Sequence, residues 1–334
     1  MRLGLFLVSP QWPGRSHGDA LAETVRLAQL ADRLGLDDVW LAEHHFVSYG
    51  VCPSAVTLAG HLLGTTARVA VGTAVSVLPV THPVALAEQA ALLDQLAPGR
   101  FTLGVGRGGP WRELVVQGGG LERYEKGLGE ELDALLGAWR EPTVAGPGPV
   151  LAFPEVAVVP RPATPAGPPM RLAATSDGTV DLAADRGLPL LLGMHADDAE
   201  RAGMVRRWSD RAGDPGDHVA VGIAHVADTR AEAVRAVRTA LPGWLGPGLA
   251  GHTRADGAPR TVRDPVAYTD LLCRLHPVGS AADVAERLAE TAAATGVERL
   301  ALMVQTTGDP ARATATVEAL ADIAPHLREH FPPL

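Results

Sequence analysis

Short apolar runs alternate with amphipathic segments of helical length about eight times along this chain. The apolar runs predict strands at 2–8, 38–42, 68–77, 101–106, 170–174, 188–193, 218–227 and 299–304. The segments between and after them predict helices at 19–34, 54–63, 83–96, 122–139, 179–186, 197–212, 229–245, 281–295 and 310–328. Such alternation is typical of βα units that build a parallel sheet.

Eight strands in 334 residues favour a (β/α)8 barrel, the TIM-barrel architecture, over a Rossmann sheet with six strands and a clear second domain. We therefore expect one α/β domain over residues 1–334, with insertions after the fourth and seventh strands. The second insertion contains the Pro/Gly-rich segment 241–265. We predict that this segment is a structureless loop that moves over the active site.

Composition excludes several classes of function. A net charge of −9 without a cluster of basic residues argues against binding of nucleic acid. Neither a signal-like segment nor an apolar run of membrane-spanning length is visible, so we expect a cytoplasmic protein without a membrane partner. Cys52 and Cys273 stand too far apart to indicate a disulfide framework or a metal site. Redox chemistry would therefore need a cofactor.

Three ionisable residues, Glu43, His44 and His45, follow the second predicted strand directly. In a barrel, the reacting groups lie at the carboxyl ends of the strands. Adjacent residues on an extended backbone point to opposite faces, so at most one of the two histidines readily faces a pocket. The same geometry prevents them from sharing one ion easily, and no further His spacing supplies metal ligands, so we expect no metal site.

Residues 104–109 formally match the Gly-x-Gly-x-x-Gly fingerprint of dinucleotide-binding proteins. Pro110 and more glycines follow instead of an immediate helix, and the strand is the fourth in line, so we reject that interpretation. The alternative is a glycine-rich loop that lies close to a ligand. In that loop Arg107 would offer a planar, charged fork to a phosphate.

The segment 175–179 follows the fifth predicted strand and opens a helix. Its hydroxyl groups and the free N–H groups of the helix N-terminus can bind an anion. Taken alone, this segment fits an ordinary helix cap better than a phosphate site, but an arginine from a neighbouring strand end favours the anion site. A phosphate held by Arg107, Ser176 and Thr179, with an apolar pocket that reaches toward His44, would describe a mononucleotide such as FMN.

Several short segments stand in a distinctive order and spacing along the chain. They are Val39-Trp-Leu-Ala-Glu-His-His-Phe46, Val71-Gly-Thr-Ala-Val-Ser-Val-Leu-Pro79, His82-Pro83, Leu92-Leu-Asp-Gln-Leu96, Gly99-Arg-Phe101, Arg107-Gly108, Gly187-Leu-Pro189 and Pro277-Val-Gly279. Through these segments the chain, from residue 2 to residue 327, resembles the luciferase-like flavin-dependent monooxygenases, and especially the luciferase α subunit.

The resemblance implies an enzyme that uses reduced FMN from a separate flavin reductase. It implies activation of O2 through a flavin C4a-peroxide and oxygenation of a small organic substrate. His44 matches the catalytic histidine, and Glu113 matches a residue that orients it. The implied cofactor-binding residues are Glu43, Ala74, Val75, Arg107, Thr175, Ser176, Thr179 and Met194. Of these, Ala74 and Val75 match a pair joined by a cis peptide bond under the flavin ring.

Three positions depart from the luciferase pattern. Gly106 replaces a reactive cysteine, Thr175 replaces an acidic residue beside the phosphate site, and Met194 replaces a tryptophan near the flavin. The smaller Gly106 and Met194 should leave room for a substrate bulkier than a fatty aldehyde. A tailoring step in secondary metabolism, such as antibiotic biosynthesis, fits this expectation. Hydroxylation, epoxidation and Baeyer–Villiger insertion all remain open.

Two alternatives remain beside this interpretation: an F420-dependent hydride-transfer enzyme on the same barrel, and a flavin-binding protein without catalysis. The resemblance also implies a homodimer formed through the helices at 54–63 and 83–96. Small residues in these helices permit close contact between helices, although they equally suit packing on the barrel; they are Ala55, Ala59, Gly60, Ala87, Ala90 and Ala91.

Overall fold

A closed barrel of parallel strands forms the centre of the structure, a computed structural model that describes residues 1–330. The strands are β1 (Arg2–Leu7), β2 (Asp38–Leu41), β3 (Ala70–Thr73), β4 (Ser76–Val77), β5 (Phe101–Gly106), β6 (Met170–Ala174), β7 (Leu190–Leu192), β8 (Val219–Ile223), β9 (His225–Val226), β10 (Val278–Gly279) and β11 (Arg299–Met303). β4 continues β3, and pairing of β3 with β5 closes the ring. β9 and β10 form a separate two-stranded sheet. The predicted eight-stranded barrel is confirmed.

Helices surround the barrel and bury their apolar faces against it. They are α1 (His17–Leu34), α2 (Ala55–Thr65), α3 (Pro83–Leu96), α4 (Glu113–Val116), α5 (Gly120–Lys126), α6 (Leu128–Arg140), α7 (Asp177–Ala184), α8 (Asp198–Ala212), α9 (Arg230–Gly251), α10 (Pro265–Leu275), α11 (Ala281–Thr295) and α12 (Pro310–His330). Among residues 1–330, no helix is long and apolar enough to span a lipid bilayer.

The small residues of α2 and α3 pack inward. Ala55, Ala59, Ala87, Ala90 and Ala91 are fully buried within the single chain. They therefore stabilise the contact of these helices with the barrel and are not available to a second copy of the protein. Of the two uses that the sequence left open for these alanines, packing on the barrel is the correct one.

The prediction of a structureless loop over 241–265 is wrong for its first half. α9 continues through Pro242 and Pro247 to Gly251, and only residues 252–264 are irregular before α10 begins. A proline inside a helix costs roughly 3 kcal/mol. Trp244 and Leu245 are 2% and 1% exposed, so burial of this face offsets that cost. α10 was not predicted.

The insertions after the fourth and seventh barrel strands meet at the carboxyl end of the barrel. Trp111 and Arg254 form an antiparallel bridge. On either side of it, Arg112 N donates to Thr253 O at 2.8 Å, and Ala255 N donates to Pro110 O at 2.9 Å. Main-chain hydrogen bonds thus join the two insertions above the barrel mouth.

The opposite end of the barrel carries a network of four charged side chains, of which Asp38, Arg171 and Arg299 are buried. Asp38 is 1% exposed and accepts hydrogen bonds from Arg299 at 2.5 Å and from the Trp40 indole at 2.7 Å. Arg299 also pairs with Asp217, which in turn pairs with Arg171. Burial raises the pKa of Asp38, and the Arg299 charge opposes this effect. The network ties β2, β6 and β11 together across the barrel interior.

Two glycines make room for this network. Gly4 lies opposite Asp38 in the pairing of β1 with β2, and Gly72 lies opposite Trp40 in the pairing of β2 with β3. A Cβ atom at Gly4 would clash with the Asp38 carboxylate, and one at Gly72 would clash with the Trp40 ring. The Trp40 ring and four charged side chains therefore occupy the barrel floor. The cavity described below lies at the other end of the barrel.

We expect Asp38→Ala to lower the free energy of unfolding by about 3–5 kcal/mol, because it leaves Arg299 buried without its partner. The control is Asp133→Ala, which breaks the partly exposed ion pair with Arg186 and should cost about 0–1 kcal/mol. Urea denaturation measures both values. Equal losses in the two variants would show that the floor network does not stabilise the barrel.

Candidate active site

A cavity of about 310 Å³ opens at the carboxyl end of the barrel. Residues that follow β2, β3, β6 and β7 line it together with residues from both insertions. The predicted site residues in its lining are Glu43, His44, Ala74, Val75, Glu113, Thr175 and Met194. Arg107, Ser176 and Thr179 lie outside the lining.

His44 presents one edge of its ring to the cavity. Its Nδ1 is buried and has no hydrogen-bond partner, so the ring nitrogen open to the cavity is Nε2. Burial, with smaller contributions from His252 and His45, lowers the pKa of His44 to about 3. The imidazole is therefore neutral at neutral pH, and it can accept or donate a hydrogen bond at the cavity surface. Gly50 packs against Nδ1, where a Cβ atom would lie 2.6 Å from that nitrogen.

Glu43 fixes the backbone around His44. Its two carboxylate oxygens accept hydrogen bonds from Ala55 N at 3.2 Å and from Val77 N at 3.1 Å. His45 also contributes to the lining of the cavity, so the expectation that only one of the two histidines faces the pocket is not confirmed. His45 Nε2 lies 3.5 Å from the Glu43 carboxylate, and His45 Nδ1 accepts a hydrogen bond from Gln117 Nε2 at 2.8 Å. The carboxylate of Glu43 thus joins β2, α2 and β4.

Glu113 does not hold His44 in this structure. It lies in the cavity lining at the start of α4 and is 8% exposed, but within residues 1–330 it makes no hydrogen bond to His44, whose Nδ1 has no partner. Burial raises the pKa of Glu113, and a hydrogen bond from its own backbone N–H and the charge of His45 oppose this effect. The expectation that Glu113 orients His44 is therefore wrong at the level of direct contact.

The peptide bond between Ala74 and Val75 is cis, as the resemblance predicts, and both residues line the cavity. Gly106 does not provide the expected extra room. A Cβ atom there would lie 3.0 Å from Val75 and 3.2 Å from Ala173, so these side chains already occupy the space. Met194 does lie in the cavity wall, and its carbonyl oxygen binds His276 Nε2 at 2.8 Å.

Arg107, Ser176 and Thr179 lie at the ends of neighbouring strands. β5, which ends just before Arg107, pairs with β6, which ends just before Thr175. Within residues 1–330 the Arg107 guanidinium has no carboxylate partner within 4.0 Å, and it stacks on the Tyr124 ring at 4.7 Å. Ser176 precedes α7 but its side chain does not cap the helix; it contacts the Thr179 hydroxyl at 3.0 Å. These groups can bind an anion.

Several residues at the mouth were missed by the sequence analysis. Tyr49 stacks on Trp244 at 4.5 Å between ring centroids and touches His44 edge-on at 4.9 Å. Trp111 lies 5.2 Å from His252. His252 follows the last residue of α9 and lines the cavity.

A signal for these residues was present in the sequence. The chain has only six tryptophans and three tyrosines, and several of them fall in or beside the irregular segments after strands. Aromatic residues placed in insertions rather than in strands or helices are frequently part of a binding surface.

A family model described as luciferase-like monooxygenase matches residues 1–299. The chain belongs to the luciferase-like monooxygenase family. The alkanal monooxygenase alpha chain of a Kryptophanaron alfredi symbiont is 27% identical over 353 residues, which covers 98% of this chain and 99% of the relative. Membership of this family makes the protein an enzyme, a flavin-dependent oxidoreductase.

Solved structures show the same fold at lower identity. The monooxygenase RslO1 from Streptomyces bottropensis is 23% identical with a TM-score of 0.85, covering 98% of this chain and 99% of that chain. The oxygenating constituent of 3,6-diketocamphane monooxygenase from Pseudomonas putida, in complex with FMN, is 21% identical with a TM-score of 0.77, covering 97% and 98%. An F420-dependent secondary alcohol dehydrogenase is 18% identical with a TM-score of 0.76, covering 98% and 99%.

In this luciferase-like monooxygenase, the buried His44 should make stability depend on pH. Its pKa rises from about 3 in the folded chain to the ordinary value near 6.5 on unfolding. Between these values the unfolded state binds one more proton, so the free energy of unfolding falls as pH falls, by at most about 1.4 kcal/mol per pH unit. We expect His44→Gln to remove this slope from urea-unfolding data between about pH 6.5 and pH 4.

The control for this measurement is His61→Gln, on the exposed face of α2. Subtracting the pH profile of each variant from that of the parent protein isolates the contribution of one histidine. If the free energy of unfolding changed with pH in the same way in the parent protein and in His44→Gln throughout this range, the inferred pKa would be contradicted.

Proposed function

We propose that this enzyme uses reduced FMN and O2 to oxygenate a small organic substrate in the cavity beside His44. The observation that carries the proposal is the neutral His44 imidazole, whose Nε2 faces the cavity while Nδ1 is buried without a partner. A neutral imidazole at such a surface can take up and return a proton during a reaction. The match to monooxygenase relatives along the full chain supports the reaction class.

The residues present fit a bound FMN. Within residues 1–330 no carboxylate pairs with Arg107, and the Ser176 and Thr179 hydroxyls lie at the N-terminus of α7, so the three would hold the phosphate. Ala74, Val75 and Met194 would contact the ring system, with Glu43 and Thr175 at its edge. When bound, reduced FMN would supply the electrons for activation of O2.

The protein would contribute proton transfer and exclusion of water. His44 would accept a proton from the substrate or return one at Nε2. Glu113 would serve as a second proton-exchanging group in the same wall, since burial raises the pKa of its carboxyl group. The joined insertions would cover the mouth and slow loss of the reactive species to water. Movement of residues 252–264, the irregular part of the second insertion, would admit the substrate.

The finer features of this function are also proposals. Reduced FMN would come from a separate flavin reductase, and the protein would act in the cytoplasm. The reaction would be a tailoring step in secondary metabolism, such as antibiotic biosynthesis. Two departures from the luciferase pattern suggested a substrate bulkier than a fatty aldehyde. Only Met194, which lies in the cavity wall, still supports it. Gly106 does not, because the side chains of Val75 and Ala173 fill the space beside it.

The principal alternative is F420-dependent hydride transfer. An F420-dependent secondary alcohol dehydrogenase shares the barrel with a TM-score of 0.76. The fold therefore accommodates either cofactor, and binding measurements have to distinguish them. A flavin-binding protein without catalysis would bind FMN but show no substrate-dependent turnover.

We expect Arg107→Gln to weaken binding of reduced FMN about 10- to 100-fold, because it removes a charge-assisted hydrogen bond to the phosphate. Anaerobic titration of the purified protein with reduced FMN measures the dissociation constant. Arg140→Gln is the control, since Arg140 is exposed at the end of α6 and has no ion pair within the described residues. A parallel titration with reduced F420 tests the alternative.

The same preparations are then mixed with oxygenated buffer while oxygen uptake is recorded. Tight F420 binding without oxygen chemistry would assign the protein to hydride transfer. His44→Ala should keep the affinity for FMN but lower coupled turnover once a substrate is in hand. If His44→Ala and Glu113→Gln both left turnover and coupling unchanged, the roles given to these residues would be wrong.

We also propose that the enzyme forms a homodimer through the outer faces of α2 and α3. Leu92 and Leu96 on α3 are 48% and 73% exposed in the single chain, which supports an apolar contact there. We expect Leu96→Glu to shift the protein toward monomer in size-exclusion chromatography with light scattering. The control is Leu34→Glu. Leu34 lies at the end of α1, outside the proposed contact, and is 40% exposed. A parent protein that is monomeric would refute the proposal.

A further inference from the structure

A second polar cluster lies at the cavity mouth, apart from His44. His195 follows β7 and lines the cavity, and Tyr268 reaches it from α10. The Tyr268 hydroxyl forms a short hydrogen bond with His195 Nδ1. Neither residue belongs to the proposed FMN site or to the proton-transfer pair. The cluster therefore has no assigned role in the reaction.

The protonation states of this pair follow from its surroundings. Burial raises the pKa of Tyr268 far above neutral pH, so its phenol stays protonated. Burial, together with the charges of Arg263 and Arg201, lowers the pKa of His195 to about 4. The neutral phenol can donate to Nδ1, which would place the imidazole proton on Nε2. In that tautomer His195 offers an N–H donor to a ligand at the mouth.

Arg263 adds a positive charge to the same place. Its guanidinium lies 5.1 Å from the centre of the Tyr268 ring, and its charge also acts on His195 and on Tyr49. Within residues 1–330, no carboxylate lies within 4.0 Å of it, whereas Arg254 in the same insertion pairs with Asp256. Arg263 is therefore a cation at the mouth that is available to an anionic ligand.

The remaining wall is aromatic and carries little charge. Tyr49 stacks on Trp244, and burial raises its pKa to about 12, so it is neutral. Trp111 and His252 lie on the same side of the mouth. Such a surface favours a flat or ring-shaped body, because ring faces and edges pack closely on one another.

We propose that the substrate is a ring-bearing carboxylic acid, whose carboxylate is bound by Arg263 and by the Nε2–H of His195 while its ring lies against Tyr49 and Trp111. A planar carboxylate matches the planar guanidinium fork, with two parallel hydrogen bonds. This inference deepens the proposed function, on which the description of the ligand as a substrate rests. His195 and Arg263 are binding residues in this arrangement.

The test uses the full-length protein without flavin and three bicyclic probes: 2-naphthoate, 2-naphthalenesulfonate and the uncharged 2-naphthamide. Isothermal titration calorimetry measures their affinities at neutral pH. We expect 2-naphthoate to bind about tenfold more tightly than 2-naphthamide. The planar carboxylate should also be preferred to the tetrahedral sulfonate. Arg263→Gln should abolish the preference for the acid, and Arg263→Lys should restore part of it.

Arg274→Gln is the matched control, because Arg274 is an exposed arginine at the far end of α10 without an ion pair in the described chain. It should keep the preference for the acid. Arg263 is itself exposed, so its substitution should leave the fold intact. Equal affinities for the acid and the amide, a preference that survives in Arg263→Gln, or no measurable binding of 2-naphthoate at millimolar concentration would each overturn the inference.

Failure of this inference can be told apart from failure of the proposed function. Reduced FMN should bind to Arg263→Gln as it binds to the parent, since its phosphate is assigned to Arg107. A tenfold loss of FMN affinity in Arg263→Gln would instead assign Arg263 to the cofactor and overturn the inference. The protein could also prefer the acid probe but show no oxygen uptake in the presence of reduced FMN. That result would support the anion site and reject only the monooxygenase reaction.

Discussion

The ion pair between Asp38 and Arg299 determines which end of this barrel can hold a site. These residues belong to strands separated by β1, and their contact fills the floor of the barrel together with Trp40. Because a buried charge without a partner is costly, the strands must keep the register that brings the pair together. With the floor filled in this way, the cavity that His44 lines lies toward the carboxyl ends of the strands.

Different sides of the cavity mouth carry different kinds of functional group. The ends of β5 and β6 present hydroxyl groups and an arginine, the end of β2 presents a neutral imidazole, and the second insertion presents Tyr268 and Arg263. Burial keeps His44 neutral, while the cations lie at exposed positions where water stabilises their charge. The cations are thus confined to the rim, whereas the acidic side chains of Glu43 and Glu113 lie in the cavity wall.

Much of the fold could be predicted from the sequence because strand and helix periodicities are local. The strand that ends at His44 and the glycine-rich turn at Arg107 were visible for the same reason. The contact of Tyr268 with His195 could not be predicted, since it joins residues 73 positions apart through a helix that the prolines and glycines around it concealed. Likewise, Gly106 indicated open space, but its neighbours Val75 and Ala173 fill that space, which only the packing reveals.

The bridge between the two insertions uses main-chain atoms at Trp111 and Arg254. Backbone hydrogen bonds of this kind do not depend on which side chains the partners carry. Side chains on either insertion can therefore change during evolution without separating the two segments. The cover over the cavity can stay assembled while its inner surface adapts to a new compound, so selectivity and closure can evolve independently in this protein.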